Sequence, residues 1–473
     1  MRISEVFANA LESKRRLPRL TALKLPILIA GALFASFSLS GAILFPNPLF
    51  TPDPTGILST YGPVDVTNPF FQRLGTNGRT CNTCHIASSA WSLTPADVRS
   101  KFHATSGLDP IFRTNDGSNC PSADVSSPQA RRDAYSGLLN KALLRISIAM
   151  PMNSEFQIID IQDPYNCPET TASNPAFYRR PLPSTNLKFL SAVMWDGRET
   201  VFGAIPGKSI NLTQSLTNQA TDATTGHAQG SVPTAEQLAK IVEFETGIST
   251  AQSFDQAAGM LTAQGATGGP FNLSQQATYI GINDALGGDP TGAAFNPNVF
   301  TLYEAWKNSS SPSRKSVARG EELFNNLPIP ITGVAGLNDA LKQPVIMGTC
   351  STCHDSPNAG NHSFSVPLGI GTTAYPVQPA LDIAGLPVYT VQCIATGDTV
   401  QVTDIGRAMM SGKCADIGKV KGPILRGLAA RAPYFHNGSA ASLDDVVEFY
   451  NERFNLGLNL QQKSDLAAFL RAL

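Results

Sequence analysis

The chain has 473 residues, of which 42% are apolar and 15% charged, and its net charge at pH 7 is −1. This apolar content is sufficient for a hydrophobic core and excludes a wholly disordered chain. The absence of a basic excess argues against nucleic-acid binding. The length predicts two domains, and the 39 glycines and 34 prolines predict many turns and irregular segments.

The N-terminus has the pattern of an export segment. Residues 1–24 include six lysines and arginines, and residues 25–45 are apolar or small without a single charge. A run of about 20 such residues can span a bilayer, and a basic flank stays on the cytoplasmic side. We therefore interpret residues 1–24 as a basic cytoplasmic region and residues 25–45 as a signal-anchor or a cleaved signal peptide. The remainder is predicted to lie in the periplasm, where the segment would anchor it to the inner membrane if it is not cleaved.

The remainder is predicted to form two domains. A polar break at Ser309–Ser313 precedes a helical pattern, so we place the N-terminal domain at residues 46–308 and the C-terminal domain at 309–473. An amphipathic helix is predicted in each half, at Thr234–Glu245 in the first and at Gln461–Leu473 in the second. The β-branched runs Leu143–Ile161 and Val388–Val402 predict minor β-hairpins in a mainly α fold.

The motif Cys-x-x-Cys-His occurs once in each half. In this motif the two thiols attach to the vinyl groups of haem and the histidine binds the iron. The sequence thus predicts two covalently attached c-type haems, held by Cys81, Cys84, Cys350 and Cys353, with His85 and His354 as iron ligands. A Cys₄ zinc site and a redox-active dithiol are alternatives, but neither requires a histidine directly after each cysteine pair.

The other four cysteines fall as one pair in each half. An oxidising compartment allows disulfides to persist, and four cysteines permit three pairings. We favour Cys120–Cys167 and Cys393–Cys414, because each then closes a loop within its own half.

Longer motifs resemble one family. The order of Cys-x-x-Cys-His, Met194–Glu199 (MWDGRE), a second Cys-x-x-Cys-His and Pro423–Ser439 (PILRGLAARAPYFHNGS) resembles the bacterial di-haem cytochrome c peroxidases. It is also similar to their relative that matures the quinone cofactor of methylamine dehydrogenase. The resemblance implies two cytochrome c-like domains, with long irregular insertions and an N-terminal apolar helix in front. It also implies hydrogen peroxide at the N-terminal haem, electrons from a small cytochrome c or cupredoxin at the C-terminal haem, and in some relatives a calcium ion between them.

The same resemblance assigns roles to single residues. Trp195 is expected between the haems as an electron relay, the alternative being a tryptophan packed in a domain interface. Arg198 is expected at a haem propionate, the alternative being a surface ion pair. His436 stands at the repeat position of Trp195, where it would make hydrogen bonds around the haem, the alternative being that it binds the iron.

The sequence indicates less clearly which residue is the second iron ligand of each haem, opposite the motif histidine. Met409 follows a Gly-Arg pair and is predicted to bind the C-terminal iron, with Met410 and His362 as alternatives. A core role for the methionines is the other interpretation. His103 is a further possible ligand at the N-terminal haem.

The peroxide pocket departs from the family. Relatives carry a glutamate there as acid/base, and Gln229 occupies that position in our alignment. An amide cannot exchange a proton near neutral pH, whereas the nearby His227 can. His227 could act as the base, bind the iron or lie on the surface. Three functions therefore stay open: a peroxidase, a pure electron-transfer protein, and an oxygenase or cofactor-maturing enzyme.

Overall fold

A computed structural model describes residues 47–204 and 209–473. Its helices are α1 (Pro95–Thr105), α2 (Pro128–Ala134), α3 (Ser136–Lys141), α4 (Leu212–Asp222), α5 (Ala235–Gly247), α6 (Pro270–Ser274), α7 (Pro312–Asn326), α8 (Asn338–Leu341), α9 (Ala408–Ser411), α10 (Leu443–Arg453) and α11 (Leu460–Arg471). Its strands are β1 (Leu49–Asp53), β2 (Gly56–Tyr61), β3 (Leu144–Ser147), β4 (Phe156–Gln162), β5 (Ala176–Arg179), β6 (Ser249–Asp255), β7 (Gly259–Met260), β8 (Ile329–Thr332), β9 (Val345–Gly348), β10 (Val388–Cys393) and β11 (Thr399–Val402).

Helices and strands are mixed, so the expectation of a mainly α fold is wrong. The described residues hold a four-stranded sheet in the order β1-β2-β6-β7, a three-stranded sheet β11-β10-β4, and the pairs β3-β5 and β8-β9. The predicted hairpin at Val388–Val402 is present as β10 and β11. The largest sheet was missed because β2 pairs with β6 across a long separation in sequence, which no local pattern reveals.

The amphipathic helix predicted in the first half is α5. It begins with a capping box, in which the Thr234 side chain bonds the backbone of Gln237 and the Gln237 side chain bonds the backbone of Thr234. Its buried face includes Leu238, Ile241 and Phe244, which pack in a cluster with Phe70 and Trp91. This cluster lies against His85, whose ring centroid is 6.2 Å from that of Phe70.

The C-terminal core is built on α7, α10 and α11. The predicted closing helix is α11, whose Phe469 and Leu470 pack in the cluster that also holds Phe324 of α7. The two helices approach so closely that a Cβ atom on Gly320 would lie 2.0 Å from the backbone oxygen of Asp465. Only glycine fits at that crossing, because any side chain would force the helices apart.

Both predicted disulfides are confirmed: Cys120 bonds Cys167 and Cys393 bonds Cys414. No helix among residues 47–204 and 209–473 is long and apolar enough to cross a membrane. The predicted export segment at residues 1–45 lies outside the described residues, and the domain boundary at 308/309 stays a prediction.

Candidate functional site

Two cavities define the candidate site, and each is lined by one Cys-x-x-Cys-His motif. The N-terminal cavity has Cys81, Cys84 and His85 in its wall. The C-terminal cavity is lined by the second motif, Cys350, Cys353 and His354. The four thiols form no disulfide, and they do not converge on a common metal position. The described structure therefore does not support a Cys₄ zinc site.

Both motifs adopt the same local structure. Each lies on one turn of 3₁₀-helix, at Cys81–Thr83 and at Cys350–Thr352. A threonine precedes each turn, and its backbone N–H donates to the hydroxyl of the second threonine at 2.9 Å, as Thr80 does to Thr83. In this Thr-Cys-x-Thr-Cys-His repeat the first cysteine begins the turn, and the second cysteine and the histidine follow it directly.

Both motif histidines are neutral and have one ring nitrogen available to bind a metal. Nδ1 of His85 lies 3.1 Å from the carbonyl oxygen of Trp91, and Nδ1 of His354 lies 2.6 Å from that of Gly360. A carbonyl only accepts, so Nδ1 carries the hydrogen and Nε2 keeps the lone pair that a metal needs. Burial lowers the pKa of His85 to about 4 and also lowers that of His354, so both rings are neutral near pH 7.

The cavities also contain buried cations without a carboxylate partner. Arg180 and Lys421 are 5% and 6% exposed and line both cavities, while Arg431 lines the C-terminal one. Arg180 donates to the carbonyls of Leu93, Arg431 and Pro433, and Lys421 donates only to that of Ala192, at 2.9 Å. Burial lowers the pKa of Lys421 to about 7. Unpaired buried cations are costly, which favours an anionic ligand.

A haem c in each cavity fits these residues. Its propionates would pair with the buried cations, its vinyl groups would receive the free thiols, and its iron would bind Nε2 of the motif histidine. The donor set of each cavity is therefore chemically that of a c-type haem site.

Trp195 lies in the wall that the two cavities share. Its side chain, 8% exposed, lines both, together with Arg180, Pro181, Lys421 and Pro423. The indole Nε1–H donates to the carbonyl of Arg180 at 2.8 Å, and the ring meets that of His436 edge-on with centroids 6.2 Å apart. Trp195 thus lies between two cavities that each contain a Cys-x-x-Cys-His motif, and its role as an electron relay stays a prediction.

The N-terminal cavity contains a hydrogen-bonded chain of three polar side chains. His227 lines it, and its Nδ1 is 2.5 Å from Oδ2 of Asp116. Asp116 in turn is 2.6 Å from the guanidinium of Arg79, which also donates to three backbone carbonyls. Burial raises the pKa of Asp116, but the hydrogen bond from His227 and the charge of Arg79 outweigh it and lower the pKa. Asp116 is therefore an anion that orients the imidazole.

Two cavity residues were missed in the sequence. Glu245 is buried in the N-terminal cavity with one carboxyl oxygen free of hydrogen bonds, and burial raises its pKa to about 8. An acid four residues after Ile241, on the apolar face of α5, was the available signal. Tyr450 on α10 lines the C-terminal cavity near Cys350 and Cys353, and burial raises the pKa of its phenol. Tyrosine is common on helices, so no sequence signal distinguished it.

Of the other predicted site residues, three line a cavity and three lie outside both cavities. Arg198 lines the N-terminal cavity and contacts Asp196 at 3.1 Å, while His362 and His436 line the C-terminal cavity. Gln229 is exposed and absent from both walls. Met409 packs in an apolar cluster with Phe156 and Tyr389, outside both walls. His103 is exposed on α1. Their predicted roles stay predictions.

Comparisons with known proteins agree with the motifs. No protein-family model matches the chain. Cytochrome-c peroxidase IdrP2 of Denitromonas iodatirespirans is 34% identical over 140 residues, 27% of this chain and 36% of the relative. Cytochrome c peroxidase Ccp of Escherichia coli (strain K12) is 31% identical over 126 residues, 26% of this chain and 22% of the relative.

The chain thus matches about a third or less of the length of these curated relatives. A solved structure, a MauG-like protein associated with microbial copper homeostasis, aligns with 93% of this chain and 95% of its own, at a TM-score of 0.38 and 14% identity. The curated relatives confirm the resemblance to the bacterial cytochrome c peroxidases.

Proposed function

We propose that the protein is a di-haem c oxidoreductase that reduces hydrogen peroxide with electrons from a small redox protein in the periplasm. The observation that carries the proposal is Trp195 in the common wall of two cavities, each lined by a Cys-x-x-Cys-His motif. The peroxidase names of the curated relatives support it. The basic and apolar N-terminal residues support the location.

The chain would hold one haem in each cavity through its cysteines and histidines. Haem supplies a redox-active iron when attached. Arg180, Lys421 and Arg431 bind its propionates, and Trp195 carries electrons between the cavities. The apolar residues of both walls exclude water, which strengthens the electrostatic interactions inside.

In the N-terminal cavity His227 is the acid/base residue of peroxide reduction. Its Nδ1–H donates to Asp116, so Nε2 is the atom that accepts a proton from hydrogen peroxide and returns one to the oxygen that leaves as water. This replaces the glutamate of the family by a histidine whose orientation and tautomer are set by a buried carboxylate.

In the C-terminal cavity we propose Tyr450 rather than Met409 as the second iron ligand, with His362 as the alternative, because Tyr450 and His362 line the cavity and Met409 does not. Tyrosine oxygen is an established haem ligand. Tyr450→Phe should change the optical and paramagnetic resonance spectra of this haem, and Met409→Leu should leave them unaltered. The reverse result would return the role to Met409.

The function is tested by counting and characterising the haems of the purified protein. We expect two c-type haems per chain in a pyridine haemochrome assay, one high-spin signal in electron paramagnetic resonance, and oxidation of a reduced cytochrome c on addition of peroxide. Two low-spin haems without peroxide turnover would instead support a pure electron-transfer protein. Zinc without haem would contradict both.

A further inference from the structure

A buried ionic cluster centred on Arg179, which itself lines the N-terminal cavity, is next to Trp195 in the chain. Nη1 of Arg179 is 2.5 Å from Oδ2 of Asp196. Nε of Arg179 is 2.7 Å from Oδ2 of Asp404, and Nη2 is 2.8 Å from Oδ1 of Asp404. All three side chains are at most 3% exposed. One arginine therefore joins a carboxylate from the first half of the chain to one from the second.

The cluster is covalently adjacent to both anchors of Trp195. Asp196 follows Trp195 in the chain, and Arg180, which follows Arg179, accepts the indole hydrogen bond. The carbonyl of Trp195 accepts from the backbone N–H of Lys421 at 2.9 Å, and that of Asp196 accepts from Arg407 at 3.1 Å. A shift of Arg179 would displace Trp195 at its backbone and at its ring.

The cluster is ionised and depends on the shape of the guanidinium group. Burial raises the pKa of Asp196, but Arg179 and Arg198 outweigh this and lower it to about 2. Arg179 binds Asp404 with two nitrogens and Asp196 with a third contact, a pattern that the planar fork of arginine permits. A lysine ammonium is a point charge and cannot reproduce it.

We propose that Arg179 is a positioning residue that holds Trp195 in the wall between the two cavities and so determines the rate of electron transfer between them. The inference rests on the proposed function, since it requires a haem in each cavity. One electron would pass from a haem held in the C-terminal cavity, which is oxidised, to a haem held in the N-terminal cavity, which is reduced, with Trp195 as the path.

Arg179→Lys tests this because it keeps the charge and removes the fork. One electron is delivered by pulse radiolysis to the oxidised di-haem protein, and its redistribution between the haems is followed by absorbance. We expect the rate constant to fall at least tenfold, since a misplacement of about 1 Å can cost ~10²-fold. The reduction potentials of both haems should change little because the charge is conserved.

The matched control is Arg319→Lys. Arg319 also forks on a buried carboxylate, with 2.7 and 2.8 Å contacts to Asp465, and it lines neither cavity. This control should transfer electrons at the rate of the unmodified protein.

A double-mutant cycle separates positioning from a general structural effect. If Arg179 acts through Trp195, Arg179→Lys should have no further effect in a Trp195→Phe chain. A normal rate in Arg179→Lys with both haems attached, or an additive loss in the double variant, would overturn the inference. If Arg179→Lys does not fold, Asp404→Asn decides by the same measurement. A protein without two haems would instead contradict the proposed function.

Discussion

The two cavities share one haem-binding motif but differ in the groups around it. In the N-terminal cavity, His227 is hydrogen-bonded to Asp116, and Glu245 is a buried acid. In the C-terminal cavity the ring nitrogens of His436 have no hydrogen-bond partner among the described residues, and the carboxylate of Asp404 is 3.7 Å from Nε2. The first cavity thus has a histidine oriented by a carboxylate, whereas His436 in the second has no such hydrogen bond.

This difference indicates how one repeated element supports two chemistries. The Thr-Cys-x-Thr-Cys-His turn is the same in both halves, down to the 2.9 Å threonine bond. What differs is the layer of side chains behind it, which sets whether a neighbouring histidine is oriented by a carboxylate or isolated. The following experiments are designed to remove or sharpen that contrast.

The largest effect should follow from removing the haem-attachment cysteines of the C-terminal cavity. Replacing both Cys350 and Cys353 by alanine should lower the haem content from two to one per chain, and peroxide turnover with a protein donor should be lost because electrons no longer enter. A pyridine haemochrome assay and a steady-state rate measure this. Replacing Cys393 and Cys414 is the control: it removes a disulfide worth about 2–4 kcal/mol but should leave both haems attached.

His227→Ala should remove the proton-transfer capacity of the N-terminal cavity. Acid/base groups contribute about 10²–10⁴-fold, so turnover should fall by that factor while the haem content is unchanged. His103→Ala, on the exposed face of α1, should have no effect. A high-spin signal that appears only in His227→Ala, with faster peroxide reaction, would show that His227 binds the iron instead.

Asp116→Asn should have a smaller effect of the same kind. The amide keeps the shape of the side chain but loses the charge that orients His227, and partners of this type are worth about 10–100-fold. Turnover should therefore fall less than in His227→Ala. Asp124→Asn, at an exposed position, provides the control. An equal loss in both Asp116→Asn and His227→Ala would mean that the two residues act only as a unit.

The smallest effect concerns the pH dependence of stability. Burial raises the pKa of Glu245 from 4.5 to about 8, so between these values the folded protein keeps a proton that the unfolded chain has released. This stabilisation is complete below pH 4.5 and is lost as the pH rises to 8, at up to about 1.4 kcal/mol per pH unit. Urea unfolding of Glu245→Gln should show a shallower dependence over this window, and Glu243→Gln should match the unmodified protein.

The sequence determined the attachment chemistry, because residue spacing within one turn defines it. The amphipathic helix that begins at Thr234 and both disulfide pairings are found as predicted. Each depends on residues close in the chain or on a count of cysteines. Trp195 and His436, singled out from the long motifs, line cavities that also contain a Cys-x-x-Cys-His motif, and their roles stay predictions.

Only the tertiary structure decided which side chains surround each cavity. Asp116 reaches His227 across 111 residues, Arg179 reaches Asp404 across 225, and β2 pairs with β6, and none of these contacts has a local signal. Gln229 and Met409 were chosen by distance from a motif, yet their side chains lie outside both cavity walls. The physical reason is that a short motif constrains the backbone of its own turn, whereas burial and ionic pairing depend on how distant segments pack together.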